Sequence, residues 1–462
     1  MITMKTPRVV SGIALLCLVH VAPLPAQDQG ELTEKTVLEL AEENIGKYRK
    51  SGAVITLLDE FGKPMKGVEL EIRQTTQDFL FGALVFDLVG ENRPDPGKTD
   101  LFKERFSEIF NLAIFPFYWG AYEPQAGHPR WDRIEPVLEW CLDQGITCKG
   151  HPLGWTHKIG LPDYVLDMSL EESEKLLESR IIENVTGFKD RITLWDVVNE
   201  PVNTVSWEMA HSDKSKEHRY TTDIPIDTLA GWVDNAYRTA YLANPDNEYI
   251  LNEFRQFADP AMRQRFFDFT TELLERGTPI TGLGIQAHEP RADWFDPVEV
   301  WKTLEWYKDF DLPIHITEFI PQSAGAEITG GYRSGQWTPE TQAAYAETMY
   351  RIWFGHPAVV SINWWAFSDA NAWLPGGGFV DGDFEPKPVY HILQKLIKEE
   401  WMIHSIEATT DRKGKYSFRG FHGTYEVVVP GESGQKRTFS FHLAKNGEND
   451  WDILPEQGPA AR

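Results

Sequence analysis

The stretch RITLWDVVNEP, residues 191–201, is an apolar run rich in β-branched residues that stops abruptly at Glu200. A second stretch, LPIHITEF at 312–319, has the same form and carries Glu318 near its end. Such runs predict strands buried on both faces, where a carboxylate would be out of place. At the carboxyl-terminal rim of a parallel β/α barrel, by contrast, strand ends deliver catalytic groups. The two stretches therefore predict a barrel with two carboxylates at its rim.

Six further apolar runs, separated by helical patterns or long loops, complete a series of eight. The predicted strands are 79–85, 112–117, 147–151, 192–199, 249–252, 282–288, 314–319 and 359–365. Eight βα units over this length of chain predict an α/β fold of the (β/α)8 TIM-barrel type.

β-strand patterns flank the barrel on both sides. An amphipathic helix at 32–50 precedes strands at 53–58 and 67–72, and strands at 409–418, 423–429 and 437–443 follow the barrel. The turn DEFGKP at 59–64, together with the TDRKGKYSF of 410–418, resembles a carboxypeptidase-regulatory-like β-sandwich. We expect the two ends to form one small accessory sandwich, because an isolated hairpin is marginal in water. The alternative is two unrelated hairpin appendages.

The start of the chain has the form of a secretory signal. Lys5 and Arg8 precede an apolar segment at 9–22, and Ala26 offers a cleavage site. The predicted organisation is a signal at 1–26, the helix and first part of the accessory domain at 27–76, the barrel at 77–404, and the second accessory part with the tail at 405–462. We expect a secreted, extracellular or periplasmic monomer.

Composition limits the partners. The chain has 70 acidic and 45 basic residues and a formal net charge of −25, and the predicted signal contains no acid. This balance argues against nucleic acid and anionic membranes and suits a neutral substrate. The 17 tryptophans fit a sugar-binding cleft, although large barrels also bury many. No metal-ligand spacing occurs and no cofactor is expected; Cys141 and Cys148 could pair or remain free buried thiols.

Several motifs occur together in one order. WDVVNEP at 195–201 resembles the acid/base signature of glycoside hydrolase family 10, the endo-β-1,4-xylanases. Five further segments resemble other motifs of the same family: GHPLGW at 150–155, GIQAH at 284–288, ITE at 316–318, WAFSDANAW at 365–373 and FEPKPVY at 384–390. The resemblance covers about residues 77–400. It implies a retaining hydrolase that cleaves β-1,4-linked xylan or a related hemicellulose by double displacement.

The resemblance also implies roles for individual residues. Glu200 would be the acid/base with a raised pKa, and Glu318 the nucleophile, kept ionised with help from His288. In a retaining enzyme the two carboxyl groups are about 5–5.5 Å apart. Gln286 and His288, two residues apart, are expected on one face of a strand. Substrate-binding or supporting roles would fall to His151, Trp155, Asn199, Gln286, His288, Trp365 and Trp373.

One region departs from the family pattern. Where the family has a Glu-Asn-x-x-Lys group that grips sugar hydroxyls, this chain has Phe115 and Tyr118, followed by Trp119. Thr156 also replaces a histidine, for which His157 could substitute. A site that loses the groups that hydrogen-bond its original ligand discriminates strongly against that ligand. We therefore predict weak activity on plain linear xylan compared with a substituted xylan or another β-glycan.

Two other functions remain open at this point. One is a different barrel glycosidase, such as a β-glucanase. The other is a non-catalytic sugar-binding barrel, which the presence of both glutamates disfavours. Activity on a panel of glycans separates the three.

Overall fold

The computed structural model of the chain describes residues 32–91, 93–212, 220–430 and 435–454, with the backbone of 458–460. The predicted secretory signal lies outside them. The strands of this part are β1 (Lys50–Leu57), β2 (Glu69–Gln74), β3 (Leu80–Leu84), β4 (Leu112–Pro116), β5 (Thr147–His151), β6 (Leu194–Asn199), β7 (Glu248–Glu253), β8 (Gly282–Ile285), β9 (Ile314–Phe319), β10 (Val359–Trp364), β11 (Ile406–Thr409), β12 (Lys415–Phe421), β13 (Gly423–Pro430), β14 (Lys436–Leu443), β15 (Asp450–Leu454) and β16 (Gly458–Ala460).

The helices lie mainly between the strands of the barrel. They are α1 (Glu34–Tyr48), α2 (Phe86–Val89), α3 (Pro96–Ser107), α4 (Trp119–Tyr122), α5 (Trp131–Asp143), α6 (Asp163–Leu166), α7 (Leu170–Gly187), α8 (Trp207–Ser212), α9 (Ile226–Ala243), α10 (Pro260–Glu275), α11 (Pro297–Tyr307), α12 (Pro339–Gly355) and α13 (Pro388–Gln394). A 3-10 turn at Lys308–Phe310 and a π turn at Lys395–Glu400 extend α11 and α13. No described helix is long and apolar enough to span a membrane.

Strands β3 to β10 form a closed barrel in which every neighbouring pair is parallel, and β10 closes against β3. The predicted TIM barrel is confirmed. All six residues of β6 and all six of β9 are buried, as expected for strands with helices on one side and the barrel interior on the other. The predicted strand at 282–288 is too long, because β8 ends at Ile285.

The two flanking regions build one accessory β-sandwich, as the fold prediction required. One sheet has the order β12-β1-β15-β16 and the other β11-β2-β13-β14. Thus β1 pairs with β12, and β2 pairs with β13, across more than 340 residues of sequence. Ile55, Ile72, Tyr425 and Phe441 belong to a core shared by the two sheets. The domain boundaries themselves stay a prediction.

Helix α1 lies against the barrel, although it precedes the first sandwich strand. Its buried face consists of Val37, Ala41 and Ile45, and α12 packs on this face so closely that a methyl group added at Gly355 would lie 2.5 Å from Ala41. Cys141 and Cys148 are both buried free thiols, so the pairing alternative does not hold in this structure.

This close approach predicts opposite effects of two glycine substitutions. Gly355→Ala should lower the free energy of unfolding by about 1–3 kcal/mol, since the added methyl overpacks the α1–α12 contact. Gly231→Ala is the matched control, because Gly231 lies in α9 with nothing within 4 Å of the added carbon. It should raise stability by roughly 0.5–1 kcal/mol through helix propensity. Urea unfolding of both variants measures this, and effects of equal sign would contradict the close packing of α1.

Candidate active site

A cleft of about 880 Å³ opens at the carboxyl-terminal ends of the barrel strands. It contains Glu200, directly after β6, and Glu318, next to last in β9. The other residues that line it are Leu84, Phe86, Tyr118, Trp155, His157, Lys158, Ile159, Asn199, Asn203, Tyr220, Phe254, Arg255, His288, Glu289, Pro290, Arg291, Trp365, Asn371 and Trp373. Seven of the nine residues singled out from the sequence are therefore in this lining. The other two, His151 and Gln286, contact its carboxylates from below.

The backbone at the rim is strained in three consecutive strand exits. Glu200, Arg255 and Ala287 follow β6, β7 and β8 and have φ values of 53°, 70° and 61°. Non-glycine residues rarely adopt this left-handed region, and such strain concentrates at functional sites. Ala287 also corrects the prediction that Gln286 and His288 share a strand face. They lie beyond β8, and the turn at Ala287 aims both side chains at the carboxylates.

A chain of side-chain amides joins the two glutamates. Asn252 donates from Nδ2 to Oε1 of Glu318 at 2.7 Å and to Oδ1 of Asn199 at 2.8 Å. Gln286 donates from Nε2 to the same oxygen of Asn199 at 3.3 Å and to Oε1 of Glu200 at 3.1 Å. Because Oδ1 of Asn199 accepts both bonds, its amide nitrogen is the group left to face the cleft. This series of hydrogen bonds fixes the two carboxylates with respect to each other.

Glu200 and Glu318 have different remaining partners. Trp155 Nε1 and Tyr220 Oη donate to Oε2 of Glu200 at 3.0 and 3.1 Å. His288 Nε2 donates to Oε2 of Glu318 at 3.2 Å. Burial lowers the pKa of His288 to about 4, so this imidazole is neutral near pH 7. It therefore supports an ionised Glu318 as a hydrogen-bond donor and not as a cation.

The electrostatics of the pair favour one shared proton. Burial, together with the neighbouring charge of Glu318, raises the pKa of Glu200 to about 7. Burial also raises the pKa of Glu318 to about 7, but His151, Asn252 and Lys149 oppose that rise. Two close buried carboxylates do not ionise together easily. Because both pKa values are about 7, the pair holds one proton near neutral pH.

A buried charge cluster lies beneath Glu318. Lys149 Nζ and His151 Nδ1 contact Oδ2 of Asp196 at 2.8 and 2.7 Å, and His151 Nε2 is 4.0 Å from Oε1 of Glu318. Burial alone would disfavour the charge on Asp196, but Lys149 and His151 outweigh it and the pKa of Asp196 is lowered. His151, expected to bind the substrate, thus also connects this cluster to Glu318.

Aromatic rings form the walls of the cleft. Trp155 stacks on His157 at 4.5 Å, and His157 stacks on Tyr220 at 5.1 Å. His157 therefore lies in the cleft, where it could substitute for the histidine that Thr156 replaces. Two further tryptophans of the cleft pack on its histidines, Trp365 against His151 and Trp373 against His288. Trp373 is 41% exposed at the open edge.

The three aromatic residues expected in the altered subsite do not act together. Tyr118 lies in the cleft beside His151 and Trp155. Phe115 is fully buried and, paired in register with Gly150, faces the surrounding helices and not the barrel interior. Trp119 is buried under the rim with its indole nitrogen bonded to Glu123 and Tyr164. The prediction that Phe115 and Trp119 contribute to this subsite is therefore wrong. Phe115, in β4, and Trp119, the first residue of α4, both face away from the opening.

Three site residues were missed in the sequence. Asn252 ends the predicted strand 249–252 and is followed by Glu253, so a polar pair at a strand end was the available signal. Glu253 accepts hydrogen bonds from Val202 N, Asn203 Nδ2 and Phe254 N, and so ties the segment after Glu200 to β7. Tyr220 lies twenty residues beyond Glu200 in a loop, and no local pattern marks it.

Among the described residues, no group of histidine, cysteine and acidic side chains could hold a metal ion.

Comparisons with known proteins identify the family of the chain. Residues 90–396 match the profile of Glycosyl hydrolase family 10. Endo-1,4-beta-xylanase B of Thermotoga neapolitana is 27% identical over 293 residues, which are 61% of this chain and 78% of that protein. Endo-1,4-beta-xylanase 1 of Arabidopsis thaliana is 23% identical over 424 residues, 89% of this chain but 40% of the relative.

The fold is also shared with a solved structure, native xylanase 10B from Thermotoga maritima. It superposes with a TM-score of 0.55 at 24% identity, and the match covers 70% of this chain and 96% of the other. At this identity the likeness establishes the common barrel.

Proposed function

The chain belongs to glycosyl hydrolase family 10 and is a xylanase-like glycoside hydrolase, and from this premise we propose that it cleaves β-1,4-linked xylan or a related hemicellulose with retention. The observation that supports this most strongly is the pair Glu200 and Glu318, tied to each other by Asn252, Asn199 and Gln286 but set in different surroundings. Retaining hydrolysis needs one protonated and one ionised carboxyl group.

In the first step of the proposed reaction Glu318 attacks the anomeric carbon while Glu200 gives its proton to the departing glycosidic oxygen. The bond from the anomeric carbon to the leaving oxygen breaks as the bond to Glu318 forms. Asn252 and His288, which donate to Glu318, hold its oxygens in place. Asn199 presents its amide nitrogen to the sugar, where a bond to the 2-hydroxyl strengthens in the transition state.

In the second step Glu200, now ionised, takes a proton from water, and the resulting hydroxide displaces Glu318 from the anomeric carbon. Two inversions return the original configuration. The donors Trp155 and Tyr220 stabilise the charge that Glu200 carries between the two steps.

A panel of glycans with analysis of product stereochemistry tests this proposal. We expect hydrolysis of a β-1,4-xylan and a first-formed product that retains the β configuration by proton NMR. Tyr118, standing in the cleft in place of a charged group, supports lower kcat/KM on plain linear xylan than on a substituted xylan. An inverted product would overturn the mechanism, a higher rate on β-glucan would reassign the substrate, and no hydrolysis with binding would indicate a non-catalytic sugar-binding protein.

The pH profile should reflect the two raised pKa values. Protonation of Glu318 below neutral pH removes the nucleophile, and ionisation of Glu200 above it removes the acid. Because burial raises the pKa of each to about 7, kcat/KM should peak near neutral pH and fall on both sides. In Glu200→Gln, assayed on an activated aryl glycoside, the alkaline fall should disappear while the acidic one remains. A flat profile from pH 4 to pH 9 would contradict the assignment.

We further propose that the protein is exported, with the signal at 1–26 removed. The charge pattern of that segment supports the proposal. Terminal sequencing of the protein recovered outside cells that express the full chain should find Gln27 or a nearby residue first.

A further inference from the structure

The cleft holds more positive charge than the chain as a whole would suggest. Acidic residues outnumber basic ones by 70 to 45, yet Lys158, Arg255 and Arg291 all line this cleft beside Glu200, Glu289 and Glu318. When Glu200 carries its proton, the cations in the lining outnumber the ionised carboxylates. The net charge of the chain, which suited a neutral substrate, therefore does not describe the site where the substrate would bind.

Arg291 is placed close to the reacting centre by an ordered series of side chains. Its guanidinium carbon lies 4.7 Å from the ring centre of Trp373. Trp373 meets His288 edge-on at 5.2 Å, and His288 bonds Glu318 at 3.2 Å. Because Glu318, Trp373 and Arg291 line one cleft, a glycan bound over Glu318 would extend past Trp373 toward this arginine.

The guanidinium of Arg291 is held in one orientation but keeps hydrogen-bond donors available for a ligand. Its Nε donates to Oε1 of Glu289 at 2.9 Å, and its side chain is 62% exposed. Neither terminal nitrogen has a partner among the described residues. The stacked ring and the bond at Nε hold the planar group, so that its outer edge faces the opening. Such an edge binds a carboxylate or sulfate through two parallel hydrogen bonds.

A second arginine lies on the neighbouring strand exit. Arg255 follows β7, which pairs with β8, the strand before Arg291. Its Nη2 contacts Oδ2 of Asp259 at 2.8 Å, and its side chain is 42% exposed. Because Asp259 pairs with it, we assign Arg255 no contact with the ligand.

We infer that Arg291, stacked on Trp373 beside the nucleophile and its histidine, binds an acidic substituent on the glycan, a carboxylate or a sulfate ester. The inference rests on the proposed function and specifies its substrate class. It explains how a cleft that lacks the usual charged sugar-binding group at Tyr118 could still select its ligand.

The test compares three matched oligosaccharides: a linear xylo-oligosaccharide, the same backbone with one glucuronic acid branch, and the same backbone with one sulfate ester. The unmodified full-length protein should have kcat/KM at least about 10-fold higher on one of the acidic ligands than on the neutral one. Arg291→Gln should lose about 10–100-fold on that ligand and less than about 3-fold on the neutral one. Arg291→Lys, which keeps the charge but not the fork, should fall between. The preferred ligand tells uronate from sulfate.

Arg333→Gln serves as the matched control. Arg333 also pairs with a carboxylate, that of Glu34, and lies 4.9 Å from the ring of Tyr332, but it does not line the cleft. It should leave all three values unchanged. Equal loss on neutral and acidic ligands in Arg291→Gln would mean that the arginine only supports Trp373, and equal rates for the unmodified protein on all three ligands would also overturn the inference.

Binding measurements separate this inference from the proposed function. If no oligosaccharide is hydrolysed, the proposed hydrolase activity fails. Calorimetric affinities of the unmodified protein and Arg291→Gln for the same three ligands then still decide the subsite. Tighter binding of an acidic ligand that depends on Arg291 supports it, and indifference to the acidic group contradicts it. The preference should weaken at high salt because the group is exposed.

Discussion

Replacement of Glu318 by alanine is expected to lower kcat/KM by about 10⁵-fold or more on every glycan that the protein hydrolyses, since loss of a nucleophile removes the covalent path altogether. The loss should not depend on the leaving group, because the first bond to the anomeric carbon no longer forms. The neighbouring donors Asn252 and His288 remain in place in this variant, so the cleft should still bind sugar. Initial rates on polysaccharide and on an activated aryl glycoside measure the effect.

Rescue by a small anion tests the role of Glu318 more specifically than the loss of activity does. Azide can enter the space vacated by the Glu318 side chain and attack the anomeric carbon from the same face. The product would be a glycosyl azide of inverted, α configuration, detectable by NMR. Glu275→Ala, at an exposed position at the end of α10, is the control and should keep full activity. Residual hydrolysis of more than about one per cent in Glu318→Ala would rule out the assigned role, given the size of effect expected for a nucleophile.

Replacement of Glu200 by alanine is expected to act selectively. A poor leaving group needs protonation as it departs, and general acid catalysis contributes about 10²–10⁴-fold. Activity on xylan or an alkyl glycoside should fall by roughly this factor or more, whereas the first step on a dinitrophenyl glycoside should change little. The second step also uses Glu200, so the covalent intermediate should accumulate and appear as a rapid burst of released phenol.

Azide distinguishes this variant from the previous one. Here it attacks the intermediate in place of water and needs no general base, so it should restore turnover on the aryl glycoside and give an azide of retained, β configuration. Glu253→Gln provides the internal comparison, because Glu253 is buried beside Glu200 but only holds the segment after it. It should impair both substrate types alike. Equal loss on both types in Glu200→Ala would refute its role as the acid.

The barrel could be predicted from the sequence because each strand carries its own local signal. Continuous apolar runs such as 194–199 and 314–319 report burial on both faces, and eight of them with helical patterns between them admit few arrangements. The sandwich was also predictable, since turn residues and alternation mark its strands. Their pairing across the barrel followed from the instability of single hairpins.

The candidate carboxylates were predictable for the same reason, since an ionisable group at the end of a buried strand conflicts with its surroundings. The partners of those carboxylates were only partly predictable. Gln286 and His288 were identified, but their approach depends on the turn at Ala287, which lies beyond β8 and is not visible as a sequence period. Phe115 and Trp119 were placed wrongly because sequence spacing does not say which side of the rim a residue faces.

The sequence by itself determined the barrel, the accessory sandwich and the positions of Glu200 and Glu318, because these depend on periodicity and burial within short segments. Only the tertiary structure decided how the site is assembled. Asn252, Tyr220 and Arg291 come from three different loops or strands, and their roles depend on distances of about 3–5 Å across the barrel mouth. Hydrogen bonds and charge effects act over such distances in space. The number of residues that separate two positions in the sequence does not predict these distances.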